Sequence, residues 1–359
     1  MGDEQRDIHW GQAFGRELIG RLNTKFGLQL QVIVDDENLS SEQKKRRLAS
    51  HLLDAMLARL KHEDESDASR AIASASDVEI VLNIGYAAAD ARYIASLKGN
   101  DIHDYLFALA KRLENMANTT TAEELGYEIL GAGFLGLGGE AVTNTVIKLR
   151  EGLPLKQAVV AGVRAVGMKG LLTAVALILA SLITFFLSRS NRAVFGMIVN
   201  DTDDEMAAKE WRKGNDGNDL YMAHGGILSF PEEIVIGNNT HYRVQIRKRI
   251  AIKQNETVVF AGLFLAEKNL GPLGAEGLIR FSLGQDSGWI AHLFAAPYFE
   301  RNGTNMTYLQ TPESAKSLFE PLYATRRVSI DRVRDGVRLK STVEGASGGV
   351  IGLVAMVSR

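Results

Sequence analysis

One run dominates the hydrophobic pattern. From Gly170 to Ser188, GLLTAVALILASLITFFLS, the chain has no charge and no proline, and Lys169 and Arg189 stand at its two ends. These residues form a helix of roughly 28 Å at ~1.5 Å rise per residue, close to the ~30 Å hydrocarbon core of a bilayer. Leu171, Leu172, Val175, Leu177, Leu179, Leu182, Phe185 and Phe186 are its candidate membrane-inserting side chains. Three roles fit such a run: a helix that inserts on activation, a permanent span, or the core helix of a soluble protein.

The flanking patterns differ on the two sides. Residues 1–118 read as a helical bundle for shielding or assembly. Phe14, Leu18 and Leu22 recur at helical spacing, and so do Leu48, Leu52, Met56 and Leu60. Ser40 and Gln43 form a capping box ahead of the second stripe. The polar stretch His62–Asp77 reads as a linker, and Val78–Leu97 and Ile102–Met116 read as further helices. Residues 119–189 are glycine-rich and apolar, with Thr121 and Glu124 opening a helix. Gly131, Gly133 and Gly136 match G-x-G-x-x-G in letter only. The motif belongs after a buried strand inside a βαβ unit, whereas the preceding TAEELGYEIL is helical, so close helix packing or a hinge is expected instead.

Residues 190–359 switch to short alternating segments separated by turn residues, such as Gln285-Asp-Ser-Gly288 and Asp335-Gly336. Strands are expected at Ala193–Val199, Tyr242–Lys253, Thr257–Ala266, Leu278–Leu283, Trp289–Ala296, Arg327–Val333 and Gly349–Val357. In Tyr242–Lys253 the alternation places Val244, Ile246, Ile250 and Ile252 on one face and Arg243, Arg247 and Arg249 on the other. The acidic run Asp201–Glu205 reads as a solvated loop. The expected fold class is therefore α+β, an N-terminal all-α region followed by a C-terminal β-sandwich.

The order of several segments in 192–359 resembles the actinoporins, cysteine-free pore-forming cytolysins. Ala193–Asn200 followed by Lys209-Glu-Trp211 resembles the family's first strand and early tryptophan. WIAHLFAAPY, Trp289–Tyr298, resembles its strand ending in a Pro-Tyr turn. Leu318–Tyr323 resembles its aromatic-rich helix, and Gly348–Arg359 its last strand. The resemblance implies a sandwich that binds membrane lipid, oligomerises and inserts the helix preceding its first strand, which here ends near Ser188. It also implies a headgroup site at Pro297, Tyr298, Phe319 and Tyr323. Independently of the resemblance, the cationic strand face carrying Arg243 and Arg247 is either a solvated face or a contact for anionic headgroups. Where the family carries membrane-facing aromatics, Phe299–Asn305 is mostly polar. The same architecture occurs in fungal fruit-body lectins, so a membrane-anchored glycan- or lipid-binding module without pore activity is the alternative.

Composition narrows the remainder. A net charge of -2 argues against a bulk nucleic-acid binder, and the lack of cysteine removes disulfides and thiolate metal sites. The acidic start MGDEQRDIHWGQ is unlike a secretory signal, which leads to the expectation of a soluble protein, cytoplasmic or non-classically released, that later meets a target-cell membrane. The seven histidines are scattered, with no i,i+4 pair, and no nucleophile-elbow, P-loop or kinase motif occurs. The chain is therefore expected to be no enzyme, with no catalytic residues, metal or cofactor. Its expected partners are membrane lipid, a glycan, and copies of itself.

Overall fold

The structure, a computed structural model, describes residues 3–60, 83–188, 192–212, 218–227, 232–236, 239–268, 273–284, 288–347 and 349–359. Its N-terminal half is mostly helical: α1 (Asp3–Phe26), α2 (Leu30–Asp35), α3 (Ser41–Leu57), α4 (Ala88–Ile94), α5 (Asn100–Ala117), α6 (Ala122–Gly131), α7 (Gly139–Arg150), α8 (Leu155–Val166) and α9 (Met168–Phe186). Two short strands, β1 (Asn83–Ala87) and β2 (Gly136–Leu137), interrupt it. From β3 (Arg192–Asp201) onward the chain is almost all strand. It runs through β4 (Met206–Arg212), β5 (Leu220–His224), β6 (Gly226–Ile227), β7 (Glu232–Ile236), β8 (Asn239–Ile246), β9 (Ile250–Lys253), β10 (Glu256–Lys268), β11 (Ala275–Leu283), β12 (Trp289–Ala296) and β13 (Gly303–Leu309). One helix, α10 (Ala315–Ala324), then precedes β14 (Ser329–Arg334), β15 (Val337–Val343) and β16 (Val350–Ser358). The fold is α+β.

Two sheets form the sandwich. The first has the order β14-β15-β16-β3-β10-β1-β2, with β6 and β9 also pairing β10. The second has the order β13-β12-β11-β4-β8-β7, with β5 pairing β11. Val194, Ile198, Phe260 and Phe264 of the first sheet meet Phe281, Ile290, Phe294 and Met306 of the second in one core. Alternation along β3 sends Phe195, Met197 and Val199 to the opposite face, into a second core with the helices. A strand buried on both sides needs no polar alternation, which is why AVFGMIV reads as a continuous apolar run.

The apolar helix α9 fills this second core. It packs against α1, α3, α5, α8 and β3. Phe185 lies 5.6 Å from Phe195, and Phe186 lies 5.1 Å from Phe14 and 5.0 Å from Phe107 between ring centres. Leu171, Leu172, Val175, Leu179, Leu182, Phe185 and Phe186 are buried, and Leu177 is half-buried. A helix enclosed on all sides can be apolar all round. The glycine-rich stretch serves close approach. A Cβ on Gly162 would stand 2.2 Å from Thr145 Oγ1, where α8 crosses α7, and one on Gly126 would stand 2.7 Å from Val160 Cγ2, where α6 meets α8. Gly136 of the G-x-G-x-x-G run pairs with Gly85 in a ladder and lies against Val142.

Three expectations are corrected. Asn83–Ala87 is a strand, not part of a helix; Val78–Leu82 lie outside the described residues. The β10 edge offers it an antiparallel ladder from Asn83↔Gly262 to Ala87↔Val258, and the helix begins only at Ala88. The single strand expected over Tyr242–Lys253 is two. Asn200 Nδ2 donates to the carbonyls of Ile246 (3.2 Å) and Arg247 (3.1 Å), while the Arg247 N–H donates to Asn83 Oδ1 and the Arg249 N–H to the Thr202 carbonyl, so Arg247–Arg249 leave the ladder. Asp201 is not solvated: it is 2% exposed and ends β3.

Substituting Gly162 by valine is expected to lower stability in urea denaturation by about 1–3 kcal/mol through overpacking. Gly20→Ala, on the exposed side of α1 with open space around it, is expected to raise it by about 0.5–1 kcal/mol. Equal effects of the two would contradict this packing. A second expectation concerns His292, buried in β12 with Nε2 3.2 Å from both Thr304 Oγ1 and Ser341 Oγ. Burial pushes its imidazole down to about 3. Below about pH 6.5 the unfolded chain takes up a proton that the folded chain refuses. Stability is therefore lost as pH falls toward 3, by up to about 1.4 kcal/mol per pH unit. His292→Gln should flatten that acid slope; an unchanged slope would remove His292 as its source.

Candidate membrane-facing site

The helix α10 lies on the outer face of the second sheet. Ser314 caps it, accepting from the Ser317 N–H at 3.1 Å. Ala315, Leu318 and Phe319 then pack on Leu278 and Leu293. Phe319 is buried, with Tyr221 edge-on at 5.2 Å and Tyr323 stacked at 5.2 Å. The guanidinium of Arg326 lies 3.7 Å over the Tyr323 ring and pairs with Glu300. The Tyr323 hydroxyl is 3.4 Å from both Glu276 Oε1 and Glu300 Oε2. His224 Nε2 lies 3.9 Å from Glu276 Oε2.

Burial sets the electrostatics of this cluster. Desolvation raises the Glu276 carboxyl above its ordinary value, against the pull of His224. Desolvation, helped by the Glu276 charge, also raises the Tyr323 phenol, so its hydroxyl stays a donor at neutral pH. The group therefore offers a cation on an aromatic face, a protonated phenol and two carboxylates in one place.

The next turn continues the surface. Pro297 is buried, Tyr298 is 44% exposed and Phe299 82% exposed, their rings edge-to-face at 4.8 Å. Arg192 sits 5.0 Å over the Tyr298 ring and donates through Nη2 to the Tyr298 carbonyl at 2.9 Å. Gly274 presses against this turn, since a Cβ there would lie 2.5 Å from Pro297 Cα, and the neighbouring Leu273 is 42% exposed. The corner thus presents Leu273, Tyr298 and Phe299 outward, with the Arg192 guanidinium over the Tyr298 ring.

The candidate residues separate into three places. Pro297, Tyr298, Phe319 and Tyr323 converge on this corner. Arg247 does not. It is half-buried at the break between β8 and β9, donating through Nη1 to Thr143 Oγ1 at 3.3 Å, with its guanidinium over Gly139. Arg243 is opposite Glu232 in the β7–β8 ladder, and its side chain lies outside the described residues. The eight α9 side chains lie in the helical core. Sequence reasoning missed Glu276, His224 and Glu300. Glu276, a carboxylate inside the apolar strand AEGLIRFSL, was the available signal. Phe299 does not stand out in the sequence, because the residues after it are polar. Among the described residues no group of three His, Asp or Glu side chains is placed to hold a metal ion.

No protein-family model and no curated protein matches the chain. Among solved structures, the lipid-binding protein Nakanori is similar over 47% of this chain and 71% of its own, at 10% identity and a TM-score of 0.29. The Xerocomus chrysenteron lectin XCL is similar over 47% of this chain and 99% of its own, at 9% identity and a TM-score of 0.26.

Proposed function

We propose that this chain is an actinoporin-like pore-forming protein, soluble first and membrane-bound later, with no catalytic step. The sandwich docks on a target membrane through the Leu273, Tyr298 and Phe299 corner, with the Tyr323, Arg326 and Glu276 cluster taking a lipid headgroup or a glycan. The helix α9 then leaves its shell and inserts, and several protomers share one pore. One observation carries the reading. A helix long and apolar enough to cross a membrane is enclosed by α1, α3 and α5, and its C-terminal end leads within a few residues to Arg192, which holds the exposed aromatic corner. The apolar core and the docking surface thus adjoin through one short connection.

The second reading keeps α9 where it is, as the core helix of a glycan- or lipid-binding module. The aromatic cluster of Phe14, Phe107, Phe185 and Phe186 favours it, since a helix this well packed serves as ordinary core.

A crosslink separates the two. A Cβ on Gly15 would stand 3.1 Å from Phe186 Cβ, near the ~3.5–4.5 Å that a disulfide requires, and the chain has no cysteine of its own. Detergent-free Gly15→Cys/Phe186→Cys protein is expected to release dye from liposomes when reduced and to stop when oxidised. Equal release in both states would mean that α9 need not leave α1. No release by the native chain from any vesicle composition, with binding retained, would favour the second reading. Tyr298→Ser/Phe299→Ser is expected to weaken vesicle binding about tenfold or more, while each exposed substitution leaves stability within about 0.5 kcal/mol.

A further inference from the structure

The end of β3 away from the aromatic corner carries a different chemistry. Val337, Leu339 and Val357 point into the sandwich, so Arg338, Lys340, Met356 and Ser358 lie on the face that the helices cover. The helical layer stops short here. On β16, α5 reaches Gly352, whose Cβ would stand 2.6 Å from Ile102, and α4 brings Arg92 to the rim. What remains is a cleft of about 330 Å³, lined by four basic side chains, Arg92, Arg338, Lys340 and Arg359, with Asp201 as the one acidic side chain in its lining among the described residues.

The carboxylates nearby are already engaged. Asp201 Oδ2 accepts from Arg92 Nε (3.2 Å) and Nη2 (3.1 Å), and Arg249 Nη1 lies 3.4 Å from Oδ1. Asp331 takes Arg338 through Nε and Nη2, both at 2.9 Å, and Asp204 takes Arg359 at 2.6 Å. Both forks leave the Nη1 of Arg92 and of Arg338 without a hydrogen bond among the described residues, and Lys340 makes neither an ion pair nor a hydrogen bond there. Two guanidinium groups are thus held in fixed orientation with donors to spare, beside an ammonium and the Ser358 hydroxyl.

We propose that this cleft binds the phosphomonoester group of a small soluble molecule, held by Lys340 and the spare Nη1 donors of Arg92 and Arg338. Charge-assisted donors of this kind suit a phosphate dianion, and the volume admits a small ester. The position argues for a soluble ligand rather than a lipid. Arg192 and Asp201 are the two ends of β3, about 30 Å apart at ~3.3 Å per residue. A membrane under the aromatic corner therefore lies at the far end from the cleft.

Calorimetric titration of the full chain with glycerol 3-phosphate and with inorganic phosphate, against chloride of matched ionic strength, tests the proposal. Binding above the chloride background is expected, weakened about tenfold by Lys340→Gln and further by Arg338→Gln. It should be unchanged by Lys316→Gln on α10 and by Phe299→Ser. All four side chains are half-buried or exposed, and circular dichroism checks that the variants fold. No binding of either anion above chloride would overturn the proposal. So would binding that the Lys340→Gln/Arg338→Gln double variant leaves intact. Phosphatidic acid vesicles form the second arm: cleft-dependent binding to them, without binding of the soluble ester, would overturn the soluble source.

Discussion

Everything in this molecule depends on a sheet that is apolar on both faces. β3 and β10 are the centre of that sheet, and each alternates between two cores: Val194, Ile198, Phe260 and Phe264 face the second sheet, while Phe195, Met197, Val259 and Leu263 face the helices. A two-sheet sandwich satisfies only the first set. The second set requires a cover, and α9 with its shell is that cover. Fold and candidate mechanism are therefore one problem, because the segment best suited to a bilayer is the one that keeps the sheet's outer face out of water.

The sandwich strands were legible because alternation and turn chemistry agree there. Trp289–Ala296 matches β12 residue for residue, and Asp335-Gly336 has positive φ at both positions, as the β14–β15 hairpin demands. The misses occur where polar side chains are satisfied by partners distant in sequence. No strand is expected at β13, where Thr304, Asn305 and Thr307 are polar. In the fold Thr304 donates to the Leu293 carbonyl, and Asn305 donates to the Leu322 carbonyl and Thr325. β1 reads as helix because NIGYAAADARYI is rich in alanine. Its strand conformation comes from the β10 edge and from the room that Gly85 leaves for Val142. Tertiary pairing overrides propensity in both.

The candidate site shows the same division. Pro297, Tyr298, Phe319 and Tyr323 are local to two segments and could be named from the chain. Glu276 and Arg326 acquire their setting only when β11, the β12–β13 turn and α10 meet. Glu276 sits in a strand whose ladder to β12 is continuous from Ala275 to Ser282, so nothing local marks it apart from its charge. Arg247 is the converse case: its alternation suggests an outward cation, but the break at Arg247–Arg249 turns it onto Thr143 and Gly139.

Apolar burial alone does not fix where α9 belongs, because a protein core and a bilayer interior are both free of water and the helix gains little on passing from one to the other. The difference resides in what is left behind. Releasing α9 exposes the outer face of β3 and β10, at about 25 cal/mol per Å² of apolar surface, unless the shell closes over it. The polar ties between shell and sandwich then decide how readily the shell moves. Ser41 donates to Glu267 at 3.1 Å, Arg92 grips Asp201, and His103 Nδ1 lies 2.7 Å from Glu344 Oε1. Each joins a helix to a strand or its adjoining loop, and polar contacts of this kind contribute a few kcal/mol at most. Under the proposed insertion, these ties would have to break and a membrane would have to offer both the seam and the helix another apolar phase.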